Sequence, residues 1–150
     1  DSEDTQVKRD IVVLGCFREG RFFLDAVEKF APELKERILV VDFNHSLKED
    51  LAQRGYAWEY GDLSNHETLA HIGIDQASIV ICAIPDVFLK GTTNQRLLAQ
   101  MKHLAPKAKK IMLAEDSASA EALLGAGADK AIISGQVSGK AIFENLQMLI

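Results

Sequence analysis

The chain has 150 residues, of which 47% are hydrophobic and 26% are charged, and its formal net charge is −5. These values are typical of one globular domain and exclude a chain that is disordered throughout or built as a fibrous repeat. The negative charge argues against a general nucleic-acid-binding protein, because neutralising phosphates requires a basic surface.

The amino-terminal segment, the lengths of the apolar runs and the cysteines narrow the class of protein further. The first six residues are polar, and we interpret 1–9 as a linker or tether and 10–150 as one domain. No apolar run approaches the ~20 residues that a membrane-spanning helix needs. Cys16 and Cys82 show neither a disulfide framework nor zinc-ligand spacing, which favours a reducing compartment and two buried thiols.

Short apolar runs alternate with segments of helical periodicity along the chain. The runs, which we predict as strands, are 11–14, 38–41, 57–60, 78–83, 110–113 and 131–133. The predicted helices are 22–30, 47–54, 65–71, 90–104, 118–124 and 136–150. Strands separated by helices pair in parallel through right-handed crossovers. We therefore predict an α/β fold, a doubly wound and mostly parallel six-stranded Rossmann-like sheet with helices on both faces.

The first predicted strand runs directly into the loop Gly15–Gly20. A dinucleotide loop needs glycine at the tight turn, at the pyrophosphate approach and at the helix–strand contact. Gly15 and Gly20 fill the first and third positions, but Phe17 occupies the second, where its ring would push a pyrophosphate away. The N–H groups at the start of the helix could still bind one phosphate, and the Arg18 guanidinium could donate two parallel hydrogen bonds to it. A plain turn that needs Gly15 only for its bend is the alternative.

An acid stands at the tip of the second predicted strand. Asp42 lies about 20 residues beyond the glycine loop, where an acid holds the ribose hydroxyls and disfavours NADP. Asn44 follows and could line the same edge. The alternative is a solvated aspartate at a strand end.

The third predicted strand ends at Gly61, followed by Asp62 and Leu63. In a doubly wound sheet this tip lies beside the adenine end of the crevice. Asp62 could accept a hydrogen bond from the adenine amino group, and the Leu63 backbone could complete the edge. A turn followed by a helix cap explains the same residues.

Several of these features together resemble one family. They are the Gly15–Gly20 loop, Asp42, the Gly61–Asp62 pair, Asn94 and the Ala126–Asp129 segment. In order and spacing they are similar to the regulator-of-potassium-conductance domain, the Trk-type and Kef-type nucleotide-binding domain of potassium channels and cation/proton antiporters. The resemblance implies a non-catalytic sensor at the cytoplasmic face of the membrane, which dimerises and binds an adenine nucleotide or NAD(H).

The resemblance also assigns roles to individual positions. It places Gly15, Phe17, Arg18 and Gly20 in the phosphate loop, Asp42 at the ribose, Asp62 and Leu63 at the adenine, and Ala83 and Pro85 along the crevice beyond the fourth strand. Two departures stand out. Phe17 replaces the middle glycine, and the segment Ala114–Asp116 stands where many relatives carry an arginine. Both favour a small ligand such as AMP, or no ligand, over NAD or ATP.

Three functions remain open at this point. The first is a cytosolic sensor of a potassium or cation/proton transport protein, dimeric and attached to a membrane-embedded partner portion. The second is a degenerate Rossmann module used only for assembly, with its pocket plugged by Phe17. The third, a small NAD-dependent oxidoreductase fragment, lacks a placed acid or base, so we predict no enzyme activity and no metal site. The apolar stripe Ile142, Leu146, Leu149 and Ile150 favours a core helix or a dimer contact.

Overall fold

The computed structural model describes residues 9–150, so residues 1–8 of the predicted tether lie outside the described part. Six strands form one sheet: β1 (Ile11–Leu14), β2 (Ile38–Asp42), β3 (Ala57–Tyr60), β4 (Ile79–Cys82), β5 (Lys109–Ala114) and β6 (Lys130–Ile133). Their order is β3-β2-β1-β4-β5-β6, and all five neighbouring pairs are parallel. The predicted doubly wound Rossmann-like fold is confirmed.

Helices connect these strands. They are α1 (Arg18–Phe30), α2 (Leu47–Gln53), α3 (His66–His71), α4 (Asn94–Leu104), α5 (Ser117–Gly125) and α6 (Ser134–Leu149). Short 3-10 turns occur at Pro32–Arg37, Ile74–Gln76 and Asp86–Phe88. Within residues 9–150, no helix has both the length and the apolar character needed to cross a membrane.

The core lies on both faces of the sheet. Successive strand residues point to opposite faces, so Val12 packs in one apolar cluster and Val13 in the other. The first cluster also contains Leu69 of α3 and Leu97 of α4, whereas the second contains Leu24 of α1. The crossover helices therefore cover both faces, which leaves the carboxyl ends of the strands as the free edge for a ligand.

Two predicted helix starts were wrong. Helix α1 begins at Arg18 because the turn at Gly15 leads straight into it, and its buried face consists of Gly20, Leu24 and Val27. Helix α4 begins only at Asn94, where the Thr93 hydroxyl accepts a hydrogen bond from the Arg96 N–H at 3.2 Å. Residues 85–93 therefore form a loop rather than the first turn of a helix.

The last helix does not belong to the core of this domain. No residue of α6 is buried, and the apolar side chains at its end are exposed. Ile142 is 71% exposed and Leu149 is 85% exposed. The interpretation of this stripe as core is therefore wrong for residues 9–150, and its apolar surface lies open.

An ion pair closes the amino end of the sheet. Arg37 donates to both carboxylate oxygens of Asp10, at 2.9 and 2.8 Å. This hydrogen-bonded guanidinium lowers the pKa of Asp10 well below its usual range. The pair links the segment before β1 to the turn before β2, at the edge opposite the glycine loop.

Candidate functional site

The turn after β1 requires glycine for two reasons. Gly15 has a φ of +88°, in the left-handed region that side chains disfavour. A Cβ there would lie 2.2 Å from Cγ1 of Ile84, so the neighbouring side chain already fills the space. The Gly15 N–H donates to the Val41 carbonyl at 2.8 Å, which fixes the turn against β2.

The start of α1 packs tightly on this turn. A Cβ at Gly20 would lie 3.0 Å from the Gly15 carbonyl oxygen, which is the close helix–strand contact that a third glycine serves. Phe17 is the residue before the helix, and no side chain caps the helix at this position. Arg18 turns outward, is 62% exposed and donates to the Glu19 carboxylate at 3.1 and 2.8 Å.

Asp42 is buried and holds the glycine loop to the end of β2. One carboxylate oxygen accepts from the Cys16 N–H at 2.8 Å, and the other accepts from the Asn44 N–H at 2.9 Å. An ionised carboxylate can accept about four hydrogen bonds, so both oxygens retain capacity for ligand hydroxyls. The Asn44 side chain turns away and accepts from the N–H and hydroxyl of Ser46.

The tip of β3 brings a second carboxylate close to the first. The Gly61 N–H donates to the Asp42 carbonyl at 3.1 Å. Asp62 then accepts from the hydroxyl and N–H of Ser64 at 2.6 and 2.9 Å, and these hydrogen bonds lower its pKa. Leu63, between Asp62 and Ser64 in the sequence, is buried and supplies an apolar surface.

A cavity of 390 Å³ opens at this edge of the sheet. Its lining consists of Asp42, Phe43, Tyr60, Asp62, Leu63, Ser64, Ile84, Phe88, Leu89, Lys90 and Gly91. The volume lies near the lower end of the roughly 300–1,000 Å³ typical of small-molecule sites. The lining carries two carboxylates and one lysine, with apolar and aromatic surface between them.

Only part of the predicted site lines this cavity. Asp42, Asp62 and Leu63 do so. The lining does not include the other predicted residues, which are Gly15, Phe17, Arg18, Gly20, Asn44, Ala83 and Pro85. Ala83 and Pro85 are buried at the end of β4, and the residue between them, Ile84, is the one that faces the cavity.

Sequence reasoning missed the loop 85–93, which we call the cover loop. Its Phe88 ring contacts the Phe17 ring with 4.4 Å between centroids. At its other end, a Cβ on Gly91 would lie 3.2 Å from Cβ of Ser64. The loop therefore spans the cavity from α1 to the turn after β3. Pro85 and Gly91 indicate a loop in the sequence, but the predicted helix 90–104 overlaps the last part of that loop.

Hydrogen bonds hold the base of the cover loop. The Asp86 N–H donates to the Glu115 carboxylate at 3.0 Å, and the Asn94 N–H donates to the Asp86 carboxylate at 2.8 Å. The Asn94 side-chain amide donates to the Ile84 carbonyl at 2.9 Å. Glu115, which lies in the segment 114–116 where the resemblance leads one to expect an arginine, thus anchors the loop.

Other parts of the molecule give less support for a functional site. Within residues 9–150, no three His, Cys, Asp or Glu side chains are grouped so as to hold a metal ion. Cys16 and Cys82 pack in different apolar clusters, and burial raises the pKa of their thiols to about 11 and about 12. A larger depression of 650 Å³ lies beside β3, but none of the predicted site residues lines it.

The comparison with known protein families gives one match. Residues 11–134 match the family model described as TrkA-N domain. No curated protein has a significant match to this sequence.

Solved structures share the fold at low sequence identity. The TrkA-N domain of the inner membrane protein YbaL from Escherichia coli is 16% identical, with a TM-score of 0.76 over 95% of this chain and 99% of that one. The Kef C-terminal domain of Shewanella denitrificans in its AMP-bound form is 19% identical, with a TM-score of 0.64 over 93% and 80%. The GsuK channel bound to NAD is 19% identical, with a TM-score of 0.66, and the match covers 85% of this chain but 22% of the channel chain.

Proposed function

Because the chain belongs to the TrkA-N family, we propose that it is the ligand-sensing regulatory domain of a potassium or cation/proton transport protein. In this proposal the domain lies at the cytoplasmic face of the membrane and binds an adenine nucleotide, with AMP favoured. It catalyses no reaction. Binding stabilises one arrangement of the domain over another and so biases the membrane-embedded portion, in the same or a partner chain.

The observation that carries the proposal is the 390 Å³ cavity beside the glycine turn, with two carboxylates at its wall. Asp42 would accept hydrogen bonds from the ribose hydroxyls, and Asp62 would accept one from the adenine amino group. Leu63 would pack against the base. Lys90 is the only basic side chain in the lining and forms no ion pair within residues 9–150, so it is free to meet a phosphate.

Size and charge favour a mononucleotide. The cavity volume is small, and the carboxylates of Asp86 and Glu115 flank the base of the cover loop, where they oppose a triphosphate. Among proteins of this fold, a Kef C-terminal domain has been solved in an AMP-bound form and a GsuK channel bound to NAD. These relatives support an adenine nucleotide in general, and the cavity supports the smaller of the two.

We also propose that the domain forms a homodimer through α6. This helix buries none of its residues against its own domain. Its exposed apolar side chains are Val137, Ile142, Phe143, Leu146, Met148, Leu149 and the following Ile150. Ile142, Leu146 and Leu149 follow the i, i+4, i+7 spacing of one helix face, and an exposed apolar face of this kind is typical of a protein–protein contact. A second copy of the chain offers the same helix, so a symmetric contact would cover both.

A thermal-shift screen with AMP, ADP, ATP, NAD and NADH tests the proposed ligand class. Ligand that binds the folded state raises the unfolding midpoint by mass action. We expect AMP to raise it, and Asp62→Asn and Lys90→Ala each to weaken that shift. The matched controls Asp75→Asn and Lys29→Ala, which lie outside the cavity, should retain it. A wild-type midpoint unmoved by all five compounds would contradict the proposal.

A second candidate is the assembly module without a ligand. The contact between Phe17 and Phe88 favours it, because two of the protein's own aromatic rings lie across the approach to the glycine turn. It predicts an intact dimer together with no response to any nucleotide. The same screen, combined with a mass measurement, therefore separates the two candidates.

A further inference from the structure

We propose that Phe17 and Phe88 form an aromatic gate that limits the length of the ligand, so that the closed site accepts a mononucleotide and rejects a dinucleotide. This inference rests on the proposed function, since it concerns the selectivity of the same cavity. It assigns a role to Phe88, which lies in the cover loop.

The two rings lie between two separate spaces. Phe88 lines the 390 Å³ cavity. Phe17 lines a groove of 460 Å³ on the outer side of α1, together with Arg18, Arg21, Phe22 and Asp25. The rings touch, with centroids 4.4 Å apart and planes inclined at 43°. Their contact is therefore the partition between the cavity and the groove.

The gate is completed at its inner side by Ile84. This side chain occupies the space above Gly15, where an added Cβ would lie 2.2 Å from Cγ1 of Ile84 and 2.3 Å from its Cδ1. Ile84 also lines the cavity, whereas Gly15 and Gly20 do not. A ligand in the cavity is thus separated from the glycine turn by Ile84 and from the outer groove by the two rings.

Opening the gate would expose groups that favour a second phosphate. The groove beyond Phe17 carries the guanidinium groups of Arg18 and Arg21, which suit phosphate oxygens. The carboxylate of Asp25 also lines it, and the Arg18 guanidinium is paired with Glu19. A dinucleotide would therefore have to pass the two rings before its second phosphate could reach the guanidinium groups of Arg18 and Arg21.

The gate can be opened without unfolding the domain. Phe17 and Phe88 are 43% and 46% exposed, so neither ring is part of the core. The cover loop is held at its base by the hydrogen bond from the Asp86 N–H to Glu115, which does not involve either ring. Removing one ring should therefore open the partition without unfolding the domain, although Phe88→Ala also removes part of the cavity lining.

Isothermal titration of AMP and NAD against the wild type and three variants tests the gate. The variants are Phe88→Ala, Phe17→Gly and the control Phe30→Ala, an aromatic residue that is 76% exposed at the other end of α1. We expect the wild type to bind AMP at least about tenfold tighter than NAD. Opening the gate in Phe88→Ala or Phe17→Gly should raise the affinity for NAD relative to that for AMP about tenfold, whereas Phe30→Ala should leave this ratio unchanged. Unfolding midpoints of all variants check that they are folded.

Each outcome decides the inference. If the wild type binds NAD as tightly as AMP, or if neither gate variant changes the ratio of the two affinities, the gate is wrong and the proposed function stands. If the wild type binds neither compound and Phe88→Ala binds both, the rings exclude every nucleotide, and the proposed selectivity for a mononucleotide is wrong. If no variant binds either compound, the proposed function fails, and the gate fails with it.

Discussion

The carboxylate of Asp42 accepts a hydrogen bond from the Cys16 N–H at 2.8 Å and so ties the tip of β2 to the glycine turn that follows β1. Its second oxygen accepts from the Asn44 N–H at 2.9 Å, which fixes the chain that leaves β2. The acid therefore shapes the site as well as lining it. Loss of ligand binding on its removal would report on both roles, which is why Asp62 and Lys90 are the cleaner ligand probes.

Replacing Asp42 should destabilise the domain even without a ligand. In Asp42→Ala the N–H groups of Cys16 and Asn44 lose their acceptor, and a buried unsatisfied donor costs about 1–3 kcal/mol. Urea unfolding should show a lower midpoint for this variant, and the exposed-site control Asp75→Ala should stay within about 0.5 kcal/mol of wild type. Equal stability of Asp42→Ala and wild type would mean that these two hydrogen bonds contribute nothing to the free energy of unfolding.

The glycine turn should tolerate no side chain. Gly15→Ala combines a positive φ with a Cβ placed 2.2 Å from Ile84, and we expect it to lower the free energy of unfolding by at least about 2 kcal/mol. In an Ile84→Ala background the same glycine substitution should cost less, because the steric part of the loss is gone and only the backbone part remains. The control Gly139→Ala lies in α6 with open space around its Cβ, so it should be neutral or stabilising. Similar unfolding curves for the two alanine variants would refute this view of the turn.

The pair of Asp10 and Arg37 makes stability depend on acid pH. Arg37 lowers the pKa of Asp10 in the folded state, so the stabilisation is present above the unfolded-state pKa of about 3.9 and is lost as pH falls through the folded value. We expect Asp10→Asn to cost about 1–2 kcal/mol at pH 7, because Arg37 is partly exposed and solvent screens the pair. Chemical unfolding of both proteins at several pH values should show the difference shrinking below about pH 4. A difference that stays constant down to pH 2 would assign the effect to something other than this carboxylate.

The exposed face of α6 should determine the oligomeric state. Ile142→Glu combined with Leu146→Glu places two charges on the apolar face and should convert a dimer into a monomer. Light scattering measures the mass directly. Neither side chain is buried within its own domain, so the unfolding cooperativity of the monomer should persist. The surface variant Lys140→Gln on the same helix should remain dimeric, and a wild-type monomer at high concentration would refute the dimer.

Much of the fold follows from local patterns in the sequence. The runs at 11–14 and 38–41 are continuous and apolar because both faces of these strands are covered by helices. Helices between such strands leave parallel pairing as the natural solution, and the observed sheet is fully parallel. The family resemblance is confirmed by the match to residues 11–134.

The remaining differences come from tertiary contacts that no local pattern encodes. Phe22 and Phe30 are apolar residues of α1, yet they are 69% and 76% exposed, because the close approach at Gly20 turns the helix so that Leu24 and Val27 face the core. Ser46 precedes α2 and is of a residue type that caps helices, but its hydroxyl donates to Asn44 and caps no N–H of the helix. The cover loop escaped prediction because its position depends on Glu115, which is distant in sequence.

The most direct measurement of the central claim is a titration of the ¹⁵N-labelled domain with AMP, followed by its backbone amide resonances. The amides of Cys16 and Asn44 report on the Asp42 carboxylate, and the amide of Ser64 reports on Asp62, since each donates to the carboxylate in question. We predict saturable shifts at all three and at Gly91, with a weaker Ser64 shift for inosine monophosphate, which lacks the adenine amino group. Spectra that do not change, or changes confined to α6, would contradict an adenine-nucleotide site at this edge of the sheet.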